Sequence, residues 1–125
     1  MSVVAQLPRY DVQIFVGTQI GYTEDFHTIF EVDNICKEYC EEHKIAVTCS
    51  LTKFIYPGGE EQGAIVGLIN YPRFPSSATE VTLHAYQLAY KLMDGLDQFR
   101  CSIFTPTDII LLENDCIDPE LIDRT

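Results

Sequence analysis

Tyr56 stands just ahead of two adjacent carboxylates, Glu60 and Glu61, and between them lie only Pro57, Gly58 and Gly59. A phenol and a carboxylate brought to one spot can hold a small polar or cationic group, the first through a directional O–H and the second through charge. That chemistry requires the chain to fold back on itself here. The segment from Phe54 to Ile69 does read as two β-like runs meeting at a glycine pair, the signature of a hairpin. If Gly58 and Gly59 are the central residues, Pro57 faces Glu60 and Tyr56 faces Glu61, about 5 Å apart at their β-carbons. If Gly59 to Gln62 build the turn instead, Glu60 faces the ligand.

Other reactive groups are more scattered. His27, His43 and His84 are far apart, with His27 and His43 on one expected helix, so neither a shared metal nor a catalytic triad is supported. Cys36, Cys40, Cys49, Cys101 and Cys116 form an odd set without a CxxC pair. They read as small apolar core residues rather than a disulfide framework, and no metal site is expected. Ser76-Ser77 lacks a Gly-x-Ser-x-Gly elbow and reads as a helix cap. Asn70, at the end of a strand, is a candidate ligand contact, although a turn anchored by Pro72 and Pro75 accounts for it equally well.

The elements that must position these groups follow from periodicity. Tyr10 to Gly17 alternates as a strand with one face on a core. Thr23-Glu-Asp supplies a helix start, and Phe26, Ile29, Phe30, Cys36, Tyr39, Cys40 and His43 recur at helical spacing as far as Lys44. Ile45 to Tyr56 and Ala64 to Tyr71 are the two arms of the hairpin. Ser77 and Glu80 have capping-box spacing ahead of Val81, Ala85, Leu88, Ala89, Leu92 and Leu96, which fall on one helical face. Cys101 to Phe104 and Asp108 to Leu112 return to β character, and the tail from 115 to 125 is acidic and weakly patterned. The order is β-α-β-β-α-β, an α/β (α+β) ferredoxin-like sandwich with an antiparallel sheet and two helices on one face. Stretches such as Ile14-Phe15-Val16 and Ile109 to Leu112 are apolar on both sides, so the second sheet face must also be covered, by a dimer or trimer or, within a monomer, by the tail.

The chain has 125 residues, with 19 acidic and 8 basic ones, for a formal charge of -11. This is one domain, residues 1–125, with its core at 10–114. The acidic field repels nucleic acid and suits a cationic or zwitterionic ligand. With no signal-peptide pattern and no apolar run long enough to span a bilayer, a cytoplasmic protein without a membrane partner is expected.

In arrangement the pattern resembles the trimeric architecture of the PII and CutA proteins. Within it, the chain resembles the bacteriophage S-adenosylmethionine (SAM) lyases, formerly called SAM hydrolases. The likeness rests on the strand Val12 to Ile20, the helix after it, Phe54-Ile-Tyr56, Glu61 and the strand Ala64-Ile-Val66. It spans Tyr10 to Asn114, with a shorter hairpin between the tyrosine and the glutamate than in those lyases. The resemblance implies a homotrimer that cleaves SAM to methylthioadenosine and homoserine lactone in an intersubunit pocket. It implies no cofactor, Tyr56 and Glu61 as catalytic residues, and Thr18, Gln19, Glu60 and Asn70 as substrate-binding ones. For a phage protein the compartment would be the host cytoplasm. The alternative is a PII-like or CutA-like module that binds a small molecule without catalysis. Against a nucleotide-sensing module stand the short turn and the acidic chain, since PII proteins use a long loop there and basic residues for phosphates.

Overall fold

Val12, Ile14 and Val16 are buried while Phe15 is half-buried and Gln13 exposed, so β1 (Asp11–Gly17) turns one face to a core, as its alternation predicts. The computed structural model describes residues 1–20 and 24–115, so Thr23, Cys116 and the tail from 116 onward lie outside the described residues. The elements after β1 are α1 (Ile29–His43), β2 (Val47–Tyr56), β3 (Gly59–Ile69), α2 (Ala78–Gly95), β4 (Arg100–Phe104) and β5 (Ile109–Glu113). All strand pairs are antiparallel and the sheet order is β2-β3-β1-β4-β5. This is the expected ferredoxin-like α+β arrangement with one strand added at the edge. β5 folds back on β4 because Thr105 closes the turn from both ends: its N–H donates to Asp108 O at 2.9 Å and its Oγ1 accepts from Asp108 N–H at 2.9 Å.

Helix α2 starts where its capping box predicts, with Ser77 Oγ accepting from Glu80 N–H at 3.2 Å and the Glu80 carboxylate accepting from Ser77 N–H at 3.2 Å. Its six expected apolar positions are all buried, together with Met93. Helix α1 begins later than expected. The reason is a second capping box, in which Thr28 Oγ1 accepts from Glu31 N–H and Glu31 Oε2 accepts from Thr28 N–H at 2.7 Å. His27 therefore precedes the helix that carries His43, and Phe26 pairs with Gln19 in an isolated bridge. Lys44 ends α1 in the left-handed region at φ 56°.

One core fills the space between the helices and the sheet, built on Ile14, Val66, Leu88, Leu92 and Ile103 among others. The opposite sheet face carries Phe15, Ile65 and Phe104, half-buried, with Leu111 at 58% and Ile109 at 68% exposure. That face holds the candidate site.

Candidate active site

The hairpin turns at Pro57 and Gly58, one residue earlier than expected. Pairing of Tyr56 with Gly59, Ile55 with Glu60 and Phe54 with Glu61 makes Pro57 and Gly58 the central pair. Gly58 has φ +89°, and proline followed by a positive-φ glycine is the residue signature of a type II turn. Proline presets the first turn position and has no ladder N–H to lose there. Tyr56 thus opposes Gly59, over which its ring folds, rather than Glu61. The slip amounts to two residues of register, and side chains alternate with period two. Tyr56 and Glu61 consequently share a face as diagonal neighbours, about 7–8 Å apart along the backbone instead of 5 Å. Glu60 takes the other face, where its carboxylate lies 3.8 Å from Lys53 Nζ.

Tyr56 and Glu61 line a cleft of about 460 Å³ on the open sheet face, a size suited to a small organic ligand. Phe15 and Phe54 form its apolar side, with ring centroids 6.3 Å apart. Gln98, Arg100, Ser102 and Leu111 form the other. Pairing of β1 with β4 sets Phe15 beside Ser102, and pairing of β4 with β5 sets Ser102 beside Leu111. Arg100 is held by Glu113 at 2.8 Å, which keeps its charge at the edge strand. A second hollow of about 570 Å³, with Gln13, Thr48 and Phe104, lies toward the other end of the same face. It contains no tyrosine–carboxylate pair.

Gln98 reaches the cleft through the way α2 ends. Asp97 adopts φ 56° and Gln98 N–H donates to Met93 O at 2.9 Å, a Schellman motif with aspartate in the left-handed position that glycine usually takes. His27 braces that aspartate: its Nε2 lies 3.0 Å from Asp97 Oδ2, and its Nδ1 lies 3.1 Å from Glu31 Oε1. Both partners are carboxylates, so both ring nitrogens must donate, which only the imidazolium can do. Partial burial pulls the His27 pKa down, but the hydrogen bonds and charges of Glu31 and Asp97 outweigh it and raise the pKa above the ordinary 6.5. A raised folded-state pKa contributes stability that is fully present below pH 6.5 and lost as pH rises through the raised value. The stability gap between the wild type and His27→Gln, read from denaturant midpoints, is therefore expected to shrink over that rise. A gap that widens with pH would refute the assignment.

No protein-family model matches the sequence, and no curated protein is similar to it at the sequence level. Solved structures do match. A phage SAM lyase in complex with S-methyl-5′-thioadenosine aligns with TM-score 0.74 at 15% identity, covering 94% of this chain and 100% of that one. A phage SAM lyase in the apo state aligns with TM-score 0.65 at 16% identity, covering 91% of this chain and 98% of that one. This chain has the phage SAM lyase fold. Within that fold the tyrosine and glutamate singled out from the sequence meet in one cleft, while the other candidates are dispersed.

Glu60 and Gln19 line a separate depression beside Lys53, into whose edge Glu61 also reaches. Asn70 is far from the hairpin cleft and acts as a tie, donating to Pro8 O at 3.1 Å and accepting from Ser76 N–H at 2.8 Å. Thr18 points to the helix side of β1 and is 1% exposed. Its Oγ1 is the one buried side-chain polar atom without a hydrogen-bond partner among the described residues. Replacing such a hydroxyl with a methyl of the same shape removes a desolvation cost, so Thr18→Val is expected to raise stability by about 1 kcal/mol. Urea denaturation checks this, and a lower midpoint would mean that the hydroxyl does have a partner.

Sequence separation concealed one further cluster in this SAM lyase fold. Tyr39 stacks on His43 at 4.1 Å between ring centroids, its hydroxyl lies 2.7 Å from His84 Nδ1, and the two imidazoles are 5.4 Å apart. The Tyr39 hydroxyl donates to Gln87 Oε1 at 2.8 Å, so it accepts from His84 Nδ1–H. Burial and the neighbouring His43 hold the His84 pKa below its ordinary value, against the opposing pull of Glu80. Among the described residues, no group of three or more His, Cys, Asp or Glu side chains is arranged to hold a metal ion. Nor is any helix there long and apolar enough to cross a membrane.

Proposed function

We propose that this protein is a SAM lyase, and the observation that carries the reading is the convergence of Tyr56 and Glu61 in one aromatic-walled cleft. The match to a SAM lyase solved with S-methyl-5′-thioadenosine supports it. SAM contains both reactants. A carboxylate oxygen lone pair forms a bond to the γ-carbon while the γ-carbon–sulfur bond breaks, its electron pair passing to sulfur. The products are neutral methylthioadenosine and homoserine lactone. No protein nucleophile and no cofactor take part.

The cleft assists through position and polarity. Folding the methionyl chain so that its carboxylate meets the γ-carbon is an orientation problem, for which about 7–11 kcal/mol is available in favourable cases. An anion and a cation cancel along the path, so replacing water by Phe15, Phe54 and Leu111 favours the transition state over the separated charges. Glu61 holds the α-ammonium group, and Tyr56 donates to the amino-acid end of the substrate. Gln19 and Glu60 line a neighbouring depression, Thr18 turns to the helix side and Asn70 ties the chain far from the cleft, so none of the four touches the reacting atoms.

The cleft lies on the apolar sheet face, so a second copy packed there both covers Phe15, Phe104, Ile109 and Leu111 and closes the site. A homotrimer is the assembly that fits this reading. Sedimentation equilibrium is expected to give three times the chain mass, and a strictly monomeric mass removes the intersubunit pocket.

Incubating the purified protein with SAM and following products by mass spectrometry tests the activity. Methylthioadenosine above the spontaneous rate, with homoserine lactone preceding homoserine, is the expected result. Binding of SAM without turnover moves the protein to the small-molecule-binding class.

A further inference from the structure

We infer that Gln98 is a substrate-binding residue whose side-chain oxygen accepts a hydrogen bond from the nucleoside half of the substrate. The inference rests on the SAM lyase reading. Gln98 is buried, and its amide cannot rotate freely. Nε2 donates one hydrogen to Gln19 O at 2.7 Å and the other to Leu96 O at 3.0 Å. With both hydrogens committed, the orientation of the amide is fixed and Oε1 is its acceptor end.

Gly17 shows where that oxygen points. A β-carbon on Gly17 would stand 2.7 Å from Oε1, and residue 17 projects to the same face as Phe15, which is the cleft face. Oε1 therefore lies on the cleft side of β1, in a notch that any residue larger than glycine would fill. A carbonyl oxygen that opens on the cleft, on a side chain whose nitrogen is held by two donor bonds, is a preorganised acceptor, and it recognises an N–H or O–H on a neutral ligand. The Schellman turn at Asp97 supplies the backbone rigidity behind it.

The amino-acid half of SAM is allotted to Tyr56 and Glu61 at the hairpin end, which leaves the nucleoside for Gln98. Its donors are the exocyclic amine of the base and the ribose hydroxyls. Either supplies the same chemistry, so the experiment separates them. Methylthioadenosine, its inosine counterpart without the amine, and its deoxyribose counterparts without one hydroxyl are titrated by calorimetry into wild type, Gln98→Met and Gly17→Ala.

Wild type is expected to bind one of the altered ligands about tenfold more weakly than methylthioadenosine. Gln98→Met should bind methylthioadenosine about tenfold more weakly and lose that discrimination, and the ligand for which it is lost identifies the donor. In turnover, KM should rise while kcat changes little, because the nucleoside is remote from the breaking bond. Gly17→Ala sets its β-carbon 2.7 Å from Oε1 but 4.0 Å from Nε2, so it crowds the acceptor end of the amide first and should reproduce the effect even if Gln98→Met unfolds, as thermal melting would reveal. Equal weakening for every ligand, with discrimination intact, or wild-type binding by both variants, overturns the role of Gln98 alone and leaves the lyase standing. A wild type that neither binds methylthioadenosine nor cleaves SAM overturns both.

Discussion

Glu61→Gln is expected to slow methylthioadenosine release by about 10²–10³-fold, the range seen when one preorganised polar group is removed from an active site. The substitution keeps the side chain's shape and removes only its charge. Which charge it meets decides the sign of the effect. Positive charge on sulfur disappears as the γ-carbon–sulfur bond breaks, so a carboxylate against the sulfonium would stabilise the ground state more than the transition state. Its loss would then raise KM and kcat together. The α-ammonium keeps its charge throughout, and a carboxylate there orients the chain that carries the attacking group. The expected signature is therefore a fall in kcat at an unchanged melting temperature. Tyr56→Phe, which removes one neutral donor and keeps the ring over Gly59, should cost less, about tenfold. A rise in kcat for Glu61→Gln would move the carboxylate to the sulfonium, and no change in either variant would take both residues out of the mechanism.

How much of this was legible depended on how local the determinants are. Helix α2 was readable because its cap, Ser77 with Glu80, and its buried stripe both lie within the helix itself. The start of α1 was misplaced although Thr28 and Glu31 have the same spacing, because acidic residues after Thr23 imitate a first turn. The turn slipped because Gly58-Gly59 is the more familiar hairpin pair, whereas the fixed φ of Pro57 draws the turn onto Pro57-Gly58. That error did not move Glu61 to the wrong face, since a two-residue slip preserves side-chain direction. Gln98, Arg100, Ser102 and Leu111 were missed as cleft residues. The alternation of Arg100 and Ser102 against Cys101 and Ile103 marks their face, but only the pairing of β4 with β1 brings that face to the hairpin. Tyr39 and His43 stand one turn apart on α1, as their spacing announces, but His84 joins them only through the packing of α2 on α1, which no spacing within either helix announces.

Gly63→Ala is expected to lower stability by about 1–3 kcal/mol, the range for overpacking a filled site, and to depress SAM turnover as well. Gly63 faces Gly17 across β1 and β3, and Phe54 lies over it to form the cleft's aromatic side. A β-carbon there would stand 2.2 Å from Phe54 Cε2 and 2.7 Å from Val16 O, closer than real β-carbons approach such atoms. The phenyl ring can swing away, but the carbonyl is part of the sheet. The two clashes therefore separate in a double-mutant cycle. Phe54→Ala removes the ring, so Gly63→Ala made in that background should cost only the backbone shift. The coupling between the two sites, read from urea midpoints, should fall within about 0.5–3 kcal/mol. Additive effects would mean that the carbonyl contact alone excludes a side chain at 63. Coupled effects would show that glycine is required there because the aromatic side of the cleft is built across it.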